Sequence, residues 1–383
     1  MFNYFQPTRI HFGLGALENL AKMSERYGKK CLLVTTPNVV PLDKLFNRVK
    51  KILGESNIEV VHFDKVLPNP TCDVVEEGLV LANENKVDFV LSVGGGSSMD
   101  TAKIIALNYG LHDIDWDALF ATGSNPFIQH EVVSQKKLPL ILVPTTSGTG
   151  SQVTQAAVIS RGVEKETIFH QDNFADECII DPELMKTLPS RITASTGFDA
   201  FTHAFESYIS KKASVMTEIQ GLKAMELVIE NLPKALADGL NSEYREKLAI
   251  ADTFAGSSLA NAGAAAPHPL GEIIGGLTHI SHGETLAIVF PAFIKSSSAA
   301  NEAKFAHVAR LFNKELEKAD DKKASEALYD EIVGFLQTLG LNKNLRDFGV
   351  TEAQLEEILE HPVLGYLPFA KKEDLQEILR ESF

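Results

Sequence analysis

Between Lys30 and Pro144 the chain alternates short apolar runs with segments of helical spacing, and from about Leu184 that alternation stops. Lys30-Cys-Leu-Leu-Val-Thr-Thr, Ile58-Glu-Val-Val-His-Phe, Val87-Asp-Phe-Val-Leu-Ser-Val and Leu138-Pro-Leu-Ile-Leu-Val-Pro read as strands. Leu42–Leu53, Cys72–Asn83 and the segment after Ser98 read as helices. This βαβα order predicts a parallel sheet with helices on both faces. Downstream, helical periodicity covers 193–210, 216–232, 242–262, 284–297, 303–317 and 323–339, and Thr351-Glu-Ala-Gln354 is a capping box that opens a further helix. A last helix is expected from Asp374 to Glu381. The fold class expected is an α/β domain over residues 1–183 followed by an all-α domain over 184–383.

Composition narrows the function classes. A chain of 383 residues with 44% hydrophobic and 23% charged residues suits a globular protein of two domains better than one. No apolar run reaches the roughly 18 residues that span a bilayer, and the first residues lack the basic region and apolar core of a signal peptide. A net charge of −15 argues against a nucleic-acid partner, which would need a basic face. The three cysteines, Cys31, Cys72 and Cys178, are scattered in no metal-binding or redox spacing, and fit core thiols in a reducing cytoplasm.

Four side chains in the helical half point to chemistry. Asp199 and His203 lie four residues apart in Gly-Phe-Asp-Ala-Phe-Thr-His-Ala-Phe-Glu-Ser-Tyr, so a helix turns carboxylate and imidazole to one face. Such a pair also forms an ordinary helix hydrogen bond. His268 and His282 bracket a second stretch. One carboxylate and three imidazoles suit a divalent first-row metal such as iron or zinc. A straight helix would hold His268 and His282 about 21 Å apart along its axis, so the chain has to break and return between them. Gly275-Gly276 and the Gly-Leu-Thr segment are the expected break.

The segment Val93-Gly-Gly-Gly-Ser-Ser-Met-Asp-Thr-Ala-Lys103 follows a strand and opens a helix. Glycines there let the backbone approach a ligand, and free N–H groups at a helix start favour a phosphate or pyrophosphate. It matches neither common phosphate fingerprint: Met99 stands where a dinucleotide motif has its third glycine, and no Gly-Lys-Ser/Thr follows. A tight strand-to-helix turn is the plainer alternative. Pro144-Thr-Thr-Ser-Gly-Thr-Gly-Ser-Gln152 is a second polar loop at the carboxyl end of a strand, where parallel sheets bind ligands.

Together these segments resemble the iron-containing (group III) alcohol dehydrogenases, from the amino terminus to about residue 295. Pro7-Thr-Arg-Ile-His-Phe-Gly-Leu-Gly-Ala-Leu is similar to the family's opening strand, and the segments at Gly94 and Pro144 to its pyrophosphate turn and second cofactor loop. Ile180-Asp-Pro-Glu-Leu, the Thr196–Ser210 segment, His268 and Ser281-His282-Gly283 are similar to its domain junction and metal motifs. The resemblance implies an N-terminal dinucleotide-binding domain, a C-terminal helical domain, and an NAD- or NADP-dependent oxidoreductase with one catalytic divalent metal, iron before zinc. It also implies a homodimer or larger homo-oligomer and a small-molecule alcohol or aldehyde substrate. By position, Asp199, His203, His268 and His282 are the implied metal ligands. Gly94, Gly95, Gly96, Ser97 and Asp100 are the implied pyrophosphate site, and Thr145, Thr146, Thr149 and Lys165 the implied nicotinamide and ribose region.

Three departures stand out. Many family members carry a further histidine where this chain has Glu272, which we expect to shape the substrate pocket or relay protons, with His279 as a second relay candidate. Alternatively, Glu272 orients an imidazole. At the end of the second strand Thr36 stands where NAD-preferring relatives often place an acid, which leaves NAD and NADP both open. The ending around His361-Pro-Val-Leu-Gly-Tyr does not resemble the usual one. Two other readings are a dehydroquinate-synthase-like lyase, whose usual Glu-His-His set differs from a set beginning with Asp, and a metal-stabilised binding protein without catalysis.

Overall fold

Three of the four apolar runs, those at Lys30, Val87 and Leu138, become strands buried on both faces, which is why they lack polar alternation, whereas the run at Ile58 becomes a partly exposed edge strand. The computed structural model describes residues 1–383. The first part of the chain runs β1 (Arg9–Phe12), α1 (Leu20–Ser24), β2 (Lys30–Val34), α2 (Asp43–Glu55), β3 (Glu59–Phe63), α3 (Cys72–Asn85), β4 (Phe89–Gly94), α4 (Gly96–Asn108), α5 (Trp116–Thr122), β5 (Leu140–Pro144), β6 (Ala156–Arg161), β7 (Glu164–Phe169) and β8 (Glu177–Ile180). Six strands form one sheet in the order β1-β8-β5-β4-β2-β3, every neighbouring pair parallel. Chain order reverses between β2 and β4: the path from β2 leads to β3 on one side, and the path from β4 leads to β5 on the other. Loops leaving the carboxyl ends of these two strands therefore diverge and open a crevice.

α1, α5, β8 and a separate two-stranded hairpin were not expected from the sequence. β6 and β7 form an antiparallel hairpin, paired from Ala156↔Phe169 to Arg161↔Glu164 and turned at Gly162 with φ +65°. The charged run Glu164-Lys165-Glu166 hides the alternation that would mark a strand, although a glycine two residues before it is a hairpin signal.

No strand follows Ile180. The rest is α6 (Ser190–Ile209), α7 (Val215–Ala237), α8 (Ser242–Ala262), α9 (Pro267–Thr278), α10 (His282–Ser297), α11 (Glu302–Phe312), α12 (Asp321–Leu339), α13 (Glu352–Leu359) and α14 (Lys372–Glu381). The capping box at Thr351 and Gln354 is present. The helix expected over 303–317 ends at Phe312, because Asn313 leaves helical geometry and its side chain caps a separate 3-10 turn, Lys314–Lys318.

By contacts the chain divides into two compact units. One comprises Asn3–Leu188 with Leu240–Ala249; the other comprises Met1–Phe2, Pro189–Gly239 and Ile250–Phe383. The junction thus falls at 188/189 rather than 183/184. The turn Pro182–Met185 stays with the sheet unit because Asp181 caps it and Met185 is buried in that unit's core.

The helical unit has an aromatic centre. Phe198, Phe201 and Phe205 on α6 pack against Phe290 of α10 at ring separations of 5.4, 5.9 and 5.2 Å. That stripe fixes the rotation of α6 about its axis. Asp199, His203 and Glu206 follow one residue behind each phenylalanine or close to it, so they form a second stripe whose direction the aromatic packing sets.

Candidate metal and coenzyme sites

Three ligand atoms converge in the helical unit. Asp199 from α6, His268 from the first turn of α9 and His282 from the first residue of α10 offer atoms that all lie within 4.8 Å of one another. Asp199 Oδ1 lies 3.5 Å from His268 Nε2 and 3.8 Å from His282 Nε2. His203 does not close that set. Its Nδ1 is 3.6 Å from Asp199 Oδ1, and its ring stacks on His268 with centroids 4.2 Å apart.

The chain does break between His268 and His282, but not at the glycines. Gly275 and Gly276 are buried inside α9, which stays helical to Thr278. The reversal comes at His279, in the left-handed region at φ 60°. Its N–H closes the last turn on Gly275 O at 3.1 Å. Glycine only weakens a helix interior, by about 1 kcal/mol, and the burial of this apolar helix outweighs that. His279 is exposed at the helix end, and Glu272 is half-buried one turn after His268.

Glycine matters instead at Gly283. A β-carbon there would lie 2.2 Å from the Ser195 carbonyl oxygen, so α10 begins against the backbone of α6. The same turn is held by Glu284. Its carboxylate accepts from Arg191 Nε at 2.9 Å, Arg191 Nη2 at 2.8 Å and Ser281 Oγ at 2.6 Å. Burial disfavours its charge, but these donors win and hold the carboxyl below its ordinary value.

Sequence reasoning missed Glu206. Fully buried on α6, it accepts from His268 Nδ1 through Oε1 at 2.6 Å and from the Ala265 N–H through Oε2. The signal was present: Glu206 lies three residues past His203, on the same face. Electrostatically the cluster calls for a cation. Burial alone would lower the pKa of His268, yet the Glu206 and Asp199 carboxylates raise it to about 10. Burial opposes charge on Asp199 too, but His203, His268 and His282 hold its carboxyl low. The donor chemistry fits a divalent first-row metal: Asp199 Oδ1 and His268 Nε2 are buried and have no hydrogen-bond partner. The other eight histidines, His279 among them, lie outside this cluster.

The second site is in the sheet unit. β4 ends at Gly94, and α4 begins at Gly96 with no side chain capping its first N–H groups. A β-carbon on Gly96 would lie 2.8 Å from Thr149 Cγ2, and one on Gly94 2.6 Å from Ser98 Oγ. Thr145 N donates to Gly94 O at 2.9 Å, which locks the two loops together. Thr146 Oγ1 is buried without a partner. Gly95, Gly96, Ser97, Thr146 and Thr149 remain half-buried, whereas Gly94 and Thr145 are buried. Thr36 is half-buried just past β2, on the other side of the crevice. Lys165 lies on β7 opposite Ser160. This bare helix start beside a sheet reversal fits a dinucleotide pyrophosphate. Met99, in place of a third glycine, is buried in the core of the sheet unit.

Asp100, expected at the pyrophosphate, is buried on α4. Both of its oxygens are engaged inside the unit, Oδ1 by Ser151 Oγ at 2.7 Å and Oδ2 by Val158 N at 3.0 Å. Burial raises its pKa, with Lys103 pulling the other way. Lys103, also missed from sequence, donates to Ser151 Oγ at 2.8 Å and Ala156 O at 2.6 Å, and burial lowers its pKa to about 8. Asp100 and Lys103 brace α4 against the following loop and β6.

A nucleotide turn at a sheet reversal, with a carboxylate-imidazole cluster in a helical unit, defines a class: metal-linked oxidoreductases that use a dinucleotide. The chain belongs to the iron-containing alcohol dehydrogenase family. The family described as "Iron-containing alcohol dehydrogenase" matches residues 7–182, and "Fe-containing alcohol dehydrogenase family, C-terminal" matches residues 193–383. Long-chain-alcohol dehydrogenase 1 of Geobacillus thermodenitrificans is 34% identical over 93% of this chain and 89% of its own length. The NAD-dependent methanol dehydrogenase of Bacillus methanolicus is 30% identical over 93% and 92%. A crystal structure of 1,3-propanediol oxidoreductase superposes with a TM-score of 0.91 at 30% identity, covering 100% of both chains. The protein is thus an oxidoreductase of the alcohol dehydrogenase class. No helix is long and apolar enough to cross a membrane.

Proposed function

We propose that the protein interconverts a small alcohol and its aldehyde or ketone with NAD(H), using one iron held by Asp199, His203, His268 and His282. The observation that carries this reading is the pair of buried, unpartnered atoms Asp199 Oδ1 and His268 Nε2, 3.5 Å apart. When bound, the metal supplies a Lewis acid and the nicotinamide a hydride carrier. The chain's own residues set the conditions for both. Asp199 is the only anionic group among the four donors, so its own ligands leave a dication partly uncompensated, as polarising an oxygen requires. His203, whose ring stacks on His268 outside the convergent three, is the fourth ligand of this reading once its ring turns toward the ion.

Gly94–Ser97 and the start of α4 hold the pyrophosphate in this reading, with Thr145, Thr146, Thr149 and Lys165 toward the nicotinamide and ribose. Thr36 bears no charge, so a 2′-phosphate meets no repulsion from it, and NADP(H) is a second coenzyme. Glu272, one turn from His268, forms the polar side of the substrate site or relays its proton, and exposed His279 marks a solvent end of that path. The enzyme works in the cytoplasm, in line with its three free cysteines. It assembles as a homodimer or larger homo-oligomer through the edge strand β1, whose Ile10 and Phe12 are exposed beside backbone groups that a second copy can pair.

Metal analysis of the purified protein, then NADH and NADPH consumption against a panel of aldehydes, tests the proposal. The expected result is about one iron or zinc per chain and turnover with at least one carbonyl substrate. Full metal loading with no net oxidation of either coenzyme overturns it. Replacing Glu272 with Gln and finding unchanged kinetics removes that residue from the reaction.

A further inference from the structure

We infer that Glu206 is the positioning residue of the metal cluster: it accepts the Nδ1–H of His268 and so turns that ring's Nε2 lone pair toward Asp199. This rests on the proposed metal role of Asp199 and His268.

Imidazole has two nitrogens, and a metal takes only the one without hydrogen. Which nitrogen that is depends on the partner of the other. Glu206 is fully buried and held from two sides: Oε1 lies 2.6 Å from His268 Nδ1, and Oε2 accepts the backbone N–H of Ala265. Its Oε2 accepts from the Ala265 N–H, and Nδ1 is the ring atom that reaches Oε1, so the shared hydrogen is assigned to Nδ1. The Ala265 contact fixes the carboxylate to the segment that enters α9, which leaves it one orientation toward the ring. His268 Nε2 then faces Asp199 Oδ1 at 3.5 Å, each without a hydrogen-bond partner.

Charge supports the same role. Asp199 and Glu206 are two buried carboxylates, and with neutral imidazoles a divalent cation brings the cluster to neutrality. Glu206 therefore acts without touching the cation: it selects the tautomer of one ligand and supplies half of the compensating charge.

Glu206→Gln separates this role from simple packing. The amide keeps the side-chain volume but has one acceptor. If that oxygen stays on the Ala265 N–H, the NH2 group faces His268 Nδ1 and drives the hydrogen onto Nε2, the wrong nitrogen. If the amide turns over, two donors confront each other at Ala265. Zinc binding is read by competition with a chromogenic chelator, first on the unmodified protein and on Asp199→Asn. Stoichiometric binding that Asp199→Asn abolishes establishes the cluster; its failure overturns the site itself. Given that cluster, Glu206→Gln is expected to bind zinc roughly 10- to 100-fold more weakly. Affinity within about twofold of the unmodified protein overturns the positioning role, whatever happens to thermal stability. Should the variant not fold, nitrogen NMR of the zinc-loaded unmodified protein decides: a protonated, strongly hydrogen-bonded His268 Nδ1 is expected, and zinc on that nitrogen overturns the inference.

Discussion

The two sites of this protein are built from opposite materials. At the end of β4 the three residues Gly94, Gly95 and Gly96 have no side chain beyond hydrogen, and what they offer is backbone, helix start and closeness to the next loop. On α6, α9 and α10 the backbone only carries, and Asp199, His203, Glu206, His268 and His282 act through their side chains. A backbone site depends on strand order and on what is missing at a few positions. A side-chain site depends on the rotation of helices about their axes, and thus on packing far from the cluster. Damage to one should leave the other intact, and that separation can be challenged.

The largest expected effect is at Gly283. Its β-carbon in Gly283→Ala would meet backbone, not a movable side chain, so the α6–α10 contact must open. We expect a loss of about 3 kcal/mol in chemical denaturation and loss of bound metal, with coenzyme affinity retained. Next is Glu284→Gln, which removes the anion between Arg191 and Ser281. A loss of about 2 kcal/mol is expected at neutral pH, allowing for the solvent-exposed guanidinium. Because the folded carboxyl is held below its ordinary value, its contribution is complete above about pH 4.5. It fades as pH falls through the lowered value, so the unfolding curves of the two proteins should converge in acid. A gap that persists below that range would point to packing instead.

Gly96→Ala tests the other site. The clash there is with Thr149 Cγ2, which can move, so we expect coenzyme affinity to fall about tenfold with metal content unchanged. Thr149→Ser in the same chain should restore part of it; metal loss in Gly96→Ala would break the comparison. The smallest effect is at His279→Gly. Relief of the left-handed backbone should raise stability by about 1 kcal/mol. Unchanged turnover would make His279 a helix terminator only, and a clear fall would give it the proton-path role.

Element types were legible because strands of the sheet unit are continuous apolar runs and the later helices carry long apolar periodicity. The hairpin β6–β7 was not legible, since β7 opens on the charged run Glu164-Lys165-Glu166 and the two strands answer to each other rather than to the sheet. The break between His268 and His282 was legible as a necessity of distance, but its place was not: glycine permits a turn without compelling one, and α9 is apolar enough to stay helical through two. Asp100 looked like a ligand contact because it follows the glycines. Only the positions of Ser151 and Val158, more than 50 residues on, show where its oxygens go. Glu206 stood in a segment already singled out. What hid it was the distance to its partners, since Ala265 and His268 lie 59 and 62 residues on and meet it only in the fold.

The sheet order also bears on how the chain comes to be folded. β1 pairs with β8, Arg9 with Glu177, a separation of 177 − 9 = 168 residues. β1 therefore has no partner in the sheet until all the chain between it and β8 has been made. Until then Phe5, Ile10 and Phe12 wait beside unpaired backbone, and even in the finished sheet they stay exposed. Closing so long a loop is slow relative to forming the β2–β3 pair, whose strands are joined by α2 alone. The earliest of the six strands in chain order is thus among the last to be seated, and over that interval the nascent chain is most exposed to sticking to its neighbours.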